Sequence, residues 1–252
     1  MITVENITKS FDGILVLKDI STKFHKGKTN LIIGQSGSGK TVLLKCLLGL
    51  FLPESGEISF NGIFLNNMNN KERRKLRQEM GIVFQGSALF DSMTVEENIM
   101  FPMRMFTKKS YKEMLNRVNE VIERVNLSNS NSKMPSELSG GMQKRVAIAR
   151  AIVMNPNYLF CDEPNSGLDP QTSIVIDNLI QEITKEYDMT TVINTHDMNS
   201  VMEIGENIIF LNNGEKEWEG SNKNIFRAKN KAFIKFVYSS EILKKAKQIL
   251  TK

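Results

Sequence analysis

Cysteine is scarce: the 252 residues include only Cys46 and Cys161. One is expected on a helix and the other in a buried strand, which excludes a structural disulfide and leaves both as core thiols. Long apolar runs are missing as well. The longest nearly apolar stretch, residues 42–52, is interrupted by Lys45 and falls far short of the ~20 residues that cross a bilayer. No membrane-spanning helix is expected. The opening Met1-Ile2-Thr3-Val4-Glu5 lacks the basic cluster and apolar run of a secretory signal, so the expected location is the cytosol. Repeats and long low-complexity tracts are absent too, and the Asn-rich stretches 66–70 and 126–131 read as polar turns.

What is present suits a globular chain with a sizeable core: 40% of residues are hydrophobic and 24% charged. The net charge of +5 is a property of the tail. Residues 221–252 hold nine Lys or Arg against Glu241, a net +8, so the first 220 residues carry −3. That distribution argues against a nucleic-acid groove across the main domain, and nucleic acid is not an expected partner.

Alternation at Ile2-Thr3-Val4 and Ile58-Ser59-Phe60 predicts half-buried strands, whereas Thr29-Asn30-Leu31-Ile32-Ile33 and Tyr158-Leu159-Phe160-Cys161 read as buried ones. Residues 71–80 are charged and permit a helix. Tyr111, Met114, Leu115, Val118, Val121, Ile122 and Val125 recur at amphipathic-helix spacing. Further helices are expected over 139–154 and over 170–187, the latter with Pro170 just inside its start. Between Gln85 and Ser139 no strong strand signal occurs, which points to a helical subdomain inserted in an α/β core.

The segment Gly34-Gln35-Ser36-Gly37-Ser38-Gly39-Lys40-Thr41 fits G-x-x-x-x-G-K-[ST] between a buried strand and a helical run. Its glycines let backbone N–H groups converge on phosphate oxygens, Lys40 reaches the β- and γ-phosphates, and Thr41 offers a hydroxyl to Mg²⁺. The bland alternative is a turn that merely joins strand to helix. Later, Tyr158-Leu159-Phe160-Cys161-Asp162-Glu163 is an apolar strand ending in two carboxylates. Asp162 is the candidate Mg²⁺ ligand and Glu163 the candidate base for an attacking water. Alone, such a pair could be two solvated acids.

Leu138-Ser139-Gly140-Gly141-Met142-Gln143 has hydroxyl and backbone donors at a helix start but no catalytic group, a second anion site lacking its own anion. This stretch resembles the signature motif of ABC ATPases. The resemblance covers roughly residues 1–220 and implies an ABC-type P-loop NTPase: an α/β fold with a RecA-like core, an antiparallel β subdomain and an inserted α-helical subdomain over about 86–140. Residues 221–252 would then form a basic C-terminal extension. It further implies ATP and Mg²⁺ as ligands and a head-to-tail homodimer, in which Ser139, Gly140 and Gly141 of one copy close on the ATP held by 34–41 of the other. Gln85 matches the loop glutamine that touches Mg²⁺ and the water. Ser166-Gly167-Leu168-Asp169 resembles the loop coupling the two sites, with Asp169 its acidic member. His196, 33 residues beyond Glu163, matches the switch histidine at the γ-phosphate. Phe11 resembles the aromatic that stacks on adenine, and a core role is its alternative; Val16 either completes that platform or sits inside a strand.

Chromosome-structuring, DNA-repair and ribosome-associated relatives carry a coiled coil, a zinc insert or tandem cassettes. This chain has 54 residues from Gln85 to Ser139, one cassette and two cysteines. The expectation is therefore a subunit that energises a separate membrane permease from the inner face of the membrane. Residues 85–104, with Ala88-Leu89-Phe90, Met93-Thr94-Val95, Asn98 and Phe101-Pro102, resemble the Mla/Mce-type phospholipid transporters, as does Met134-Pro135-Ser136-Glu137. A lipid-binding Mce-type protein and a small accessory subunit would then be partners. The alternatives are an amino-acid or other small-solute importer, and a soluble ABC regulator without a permease. Leu89, Phe90 and Phe101 suit either a docking surface or the core of the helical lobe. Two departures from the family pattern stand out: Asn165 replaces the usual Thr, and Gly86-Ser87 are in reversed order. The tail from Ser221 could lie on the cassette as a short amphipathic helix, dock an accessory subunit, meet anionic lipid, or remain a loosely ordered terminus.

Overall fold

Alternating residues at the N-terminus make a hairpin, β1 (Ile2–Phe11) and β2 (Ile14–Phe24), with Ile2, Val4, Ile7, Leu17, Ile20 and Phe24 buried. Its two-residue turn, Asp12-Gly13, has φ of +49° and +79°, the left-handed pair whose twist matches that of the flanking strands. The computed structural model describes residues 1–238, which fall into two units. The first takes residues 1–25, 29–67 and those from 194 onward; the second takes 26–28 and 68–193.

In the first unit, β3 (Thr29–Ile33) is buried along its whole length and leads through the glycine-rich loop to α1 (Lys40–Leu47). Next come β4 (Ser55–Phe60) and β5 (Ile63–Phe64), which complete an antiparallel sheet of order β2-β1-β4-β5.

The second unit opens with α2 (Asn70–Gln78), capped by Asn69, and β6 (Met80–Val83). Three helices follow before the next strand: α3 (Val95–Phe106), α4 (Tyr111–Arg124) and α5 (Gly140–Ile152). Capping boxes begin two of them, Thr94 with Glu97 and Ser110 with Glu113. Then come β7 (Tyr158–Asp162), α6 (Pro170–Glu186) and β8 (Thr190–Thr195), whose last two residues belong to the first unit. The strand order is β8-β7-β6, and β6 and β7 are parallel. Val118, Val121 and Ile122 bury the stripe of α4 as its spacing predicts. Tyr111 does not join them: it lies at the helix's first turn, 55% exposed, where its hydroxyl donates to Glu96 Oε1 at 2.7 Å.

The first unit resumes with α7 (Met198–Ile204), β9 (Asn207–Asn212), β10 (Glu215–Gly220) and α8 (Lys231–Val237). β9 runs between β10 and β3, antiparallel to the former and parallel to the latter. Phe233 and Val237, one turn apart on α8, are buried, and Phe233 stacks on Trp218 with ring centroids 4.0 Å apart. The segment from Ser221 to Tyr238 thus packs onto this unit through a 3₁₀ helix, Asn222–Arg227, and α8 instead of standing apart from it. Residues 239–252, to which the lipid and accessory-subunit alternatives for the tail also apply, lie outside the described residues.

Cys46 and Cys161 are both free and buried. Burial pushes the Cys46 thiol up to about 11 and the Cys161 thiol well above its ordinary range, so neither presents a reactive thiolate. Among the described residues no helix is long and apolar enough to cross a membrane.

Candidate functional site

At the end of β3 the backbone of Gly34 comes so close to β9 that a β-carbon would lie 2.2 Å from Leu211 O and 2.6 Å from Ser38 Oγ. Only glycine fits. The loop closes with Ser38 N donating to Gln35 O at 3.2 Å and enters α1 at Gly39, whose φ of +102° is left-handed and which brings no side-chain cap. No acidic residue occupies the first turn, so the dipole and N–H groups there are set for an anion. Lys40 is buried, and its Nζ donates to Gly34 O at 2.9 Å and Gln35 O at 3.1 Å, folding the ammonium over the loop. Ser38 Oγ is buried without a hydrogen-bond partner among the described residues. A phosphate oxygen would satisfy that hydroxyl, whereas a mere connecting turn gives no reason for burying it unpaired. Gln35, Ser36, Gly37 and Thr41 face the surface or border it.

Phe11 ends β1 with its ring 37% exposed, which places it at the surface and not in the core. Phe51 buttresses it edge-on at 5.2 Å, and the Lys9 ammonium lies 5.2 Å from its centroid. Val16 is half-buried within β2. Phe11→Ala should weaken ATP binding by about 1–3 kcal/mol, roughly five- to a hundredfold in Kd, the usual range for base–aromatic stacking. Equilibrium titration with a fluorescent ATP analogue measures it, and an unchanged Kd would return Phe11 to a packing role. His196, the first residue after β8, is exposed on the same unit.

In the second unit β7 carries Asp162 and then Glu163, both half-buried. Glu163 has φ +49°, a conformation that costs a side-chain-bearing residue on the order of 1–2 kcal/mol and is concentrated at functional sites. Gln85, exposed after β6, donates from Nε2 to Ser166 Oγ at 3.1 Å, so the loop glutamine meets the segment 166–169 directly. Asn165 Nδ2 donates to Asp177 Oδ1 on α6 at 2.7 Å.

Ser139 caps α5, accepting from Met142 N at 3.3 Å, and Gln143 Nε2 donates back to Pro135 O at 3.0 Å. Ser139, Gly140, Gly141, Arg145, Asp169 and Thr172 line a cavity of about 310 Å³. Asp169 caps α6, accepting from Thr172 N at 3.0 Å and Thr172 Oγ1 at 2.5 Å, which holds its carboxyl below the usual carboxylate range. Residues 139–141 and 167–169 thus border one hollow, whose charged lining is Arg145 and Asp169. Among the described residues no three His, Cys, Asp or Glu cluster to hold a metal by themselves. Mg²⁺ keeps water and substrate phosphate in its shell and takes only one or two protein carboxylates.

A family model described as ABC transporter matches residues 17–166. The chain belongs to the ABC transporter family. It is 36% identical over 96% of its length to the methionine import ATP-binding protein MetN of Clostridioides difficile, spanning 75% of that protein. With the "Probable ribonucleotide transport ATP-binding protein mkl" of Mycobacterium leprae it shares 39% identity over 83% of its length, covering 60% of that longer protein. A dimeric post-hydrolysis structure of the ATP-binding cassette MJ0796 bound to ADP and Pi overlays with a TM-score of 0.79 at 33% identity, over 88% of this chain and 99% of the other. This ABC chain has the α/β cassette fold, is an ATPase, and binds ATP with Mg²⁺.

Several contacts within the cassette carry little local sequence signal. Phe51 supports Phe11, Ser166 engages Gln85, and Lys144 and Arg150 of α5 donate to carbonyls of the loop after β6. Each joins residues far apart in the chain. The one available signal was the pair of cations in α5, at positions where its helical spacing calls for burial.

Proposed function

We propose that two copies of this cassette bind ATP head to tail, hydrolyse it, and drive a separate integral-membrane permease that imports a small amino-acid-like solute. The observation carrying this reading is the 36% identity over 96% of the chain with a methionine import ATP-binding protein. The chain would act at the inner face of the membrane, held there by its permease.

In this reading residues 34–41 cradle the phosphates, and Phe11, with Val16 beside it, carries the adenine. Glu163 accepts the proton of the attacking water, while Gln85 orients that water and His196 donates to the γ-phosphate. Thr41, Asp162 and Gln85 are the proposed residues for Mg²⁺, which when bound neutralises charge on the phosphates. Ser139, Gly140 and Gly141 offer their donors to the ATP of the other copy, and Asp169 links the two sites. The permease would seat in an apolar groove of about 490 Å³ in the second unit, lined among others by Met80, Phe84, Ala88, Phe90, Phe101 and Phe106. The rings of Phe90 and Phe101 lie 4.8 Å apart in its wall.

A second reading, phospholipid movement with a Mce-type protein and an accessory subunit as partners, rests on the segment 85–104, which also supplies part of this groove. Co-purification from detergent extract followed by reconstitution into proteoliposomes separates the readings. ATP-dependent uptake of labelled methionine supports the first. Transfer of fluorescent phospholipid without amino-acid uptake selects the second, and recovery of no integral-membrane protein overturns both.

A further inference from the structure

The end of β1 that carries Phe11 is gripped by the loop between α1 and β4, residues 48–54. Phe51 meets the Phe11 ring edge-on, with the ring planes 67° apart and the centroids 5.2 Å apart. Glu54, the last residue of the same loop, holds the residues just before Phe11. Ser10 N donates to Glu54 Oε1 at 3.1 Å, Ser10 Oγ lies 2.8 Å from both carboxylate oxygens, and the Lys9 ammonium is 3.4 Å from Oε1. The Ser10 hydroxyl and N–H hold this carboxyl below the usual carboxylate range. Glu54 N also donates to Thr8 O at 2.8 Å, which ties backbone to backbone. Each residue from Thr8 to Phe11 is therefore touched by Glu54 or Phe51, and the Lys9 ammonium that Glu54 holds lies 5.2 Å from the Phe11 centroid.

The gripping loop is tied in turn to the helix that starts at the phosphate cradle. Leu50 N and Phe51 N both donate to Lys45 O, at 2.9 and 3.2 Å, and the Lys45 ammonium lies 5.3 Å from the centroid of the Phe51 ring. Lys45 stands on α1 little more than one turn beyond Lys40. Pro53, between Phe51 and Glu54, restricts the backbone that joins the two grips. A continuous run of contacts thus leads from the loop 34–41 through α1 and Phe51 to Phe11. A ligand with a base at one end and phosphates at the other must span a set distance, and a site held at that distance in advance binds it with less ordering to do. We propose that Phe51 and Glu54 are positioning residues for the nucleobase, which hold the Phe11 ring at a fixed reach from the phosphate loop. Without them the base loses its platform while the phosphates keep theirs. This rests on the proposed role of Phe11 in carrying the adenine.

Competition against a fluorescent ATP analogue, in the full chain with Mg²⁺, gives separate inhibition constants for ATP and for inorganic tripolyphosphate, which has no base. Phe51→Leu and Glu54→Ala should each weaken ATP by about three- to tenfold while leaving tripolyphosphate within about twofold of the wild type. The second result also shows that the phosphate loop of the variant is folded. Phe51→Tyr keeps the ring and should bind ATP as the wild type does. In a Phe11→Ala background, Phe51→Leu should add less than about twofold, since a residue that acts through Phe11 then has nothing left to position. Equal weakening of ATP and tripolyphosphate overturns the inference, because the loop would then support the phosphate site itself. So does a full additional loss from Phe51→Leu on top of Phe11→Ala. Unchanged ATP constants in Phe51→Leu and Glu54→Ala, beside a weakened Phe11→Ala, overturn this inference alone. An unchanged Phe11→Ala overturns the adenine role of Phe11 and the inference with it.

Discussion

Glu163→Gln should abolish turnover while leaving ATP bound. The substitution keeps the size and most hydrogen-bonding capacity of the side chain, so the turn after β7, with its positive φ at 163, retains its shape. What disappears is the basic carboxylate. Removing a positioned general base costs typically about 10²–10⁴ in rate, and that is the expected loss in phosphate release. ATP affinity should stay within about threefold, because in the proposed site residue 163 faces the attacking water and the loop 34–41 holds the phosphates. Bound but unhydrolysed, ATP should hold two copies together, and a dimer should accumulate on size exclusion only when ATP is present. Turnover at the wild-type rate would remove Glu163 from the role of base.

For Lys40→Ala the loss should fall on binding instead. The ammonium is buried over Gly34 O and Gln35 O and gives the loop a full positive charge. Charge-assisted hydrogen bonds contribute about 1.5–3 kcal/mol each. Losing the one such bond that the remaining N–H can make to phosphate predicts an ATP Kd raised by roughly ten- to a hundredfold. Because the lysine also ties the loop's own carbonyls, Lys40→Ala should loosen the loop as well, and Lys40→Arg, with a longer fork, should recover little. Isothermal titration with ATP and Mg²⁺ reads this directly. An unchanged Kd would mean that the loop binds phosphate through its backbone alone.

The strands, the helices between β6 and β7, and the phosphate loop were legible because each signal is local. Three consecutive apolar residues, Leu31-Ile32-Ile33, mark β3 as a buried strand, and the motif from Gly34 to Thr41 is contiguous, so its chemistry needs no distant partner to be read. The end of α4 was legible for the same reason, within one residue. Tyr111 was misplaced because periodicity counts a tyrosine as apolar while its hydroxyl, bonded to Glu96, favours the surface. The cargo was less legible. The segment 85–104 resembles one transporter class, while the relatives that match across the chain bear the names of methionine import and ribonucleotide transport. A cassette does not touch the cargo, so its residues record only the protein it grips.

By itself the sequence determined the family and the positions of its phosphate-loop, acidic and signature motifs, and the resemblance at Ser139 to Gly141 raised the expectation of a second copy. Tertiary structure alone decided which of these residues are held and by what: Phe11 by Phe51, Gln85 by Ser166 81 residues away, and the loop 85–88 by Lys144 and Arg150. It also decided that the chain after 220 returns to stack Phe233 on Trp218. The reason is physical. Helical and strand periods and loop motifs are set by neighbours a few residues apart, whereas a contact between distant segments depends on how whole elements pack, which no local pattern specifies.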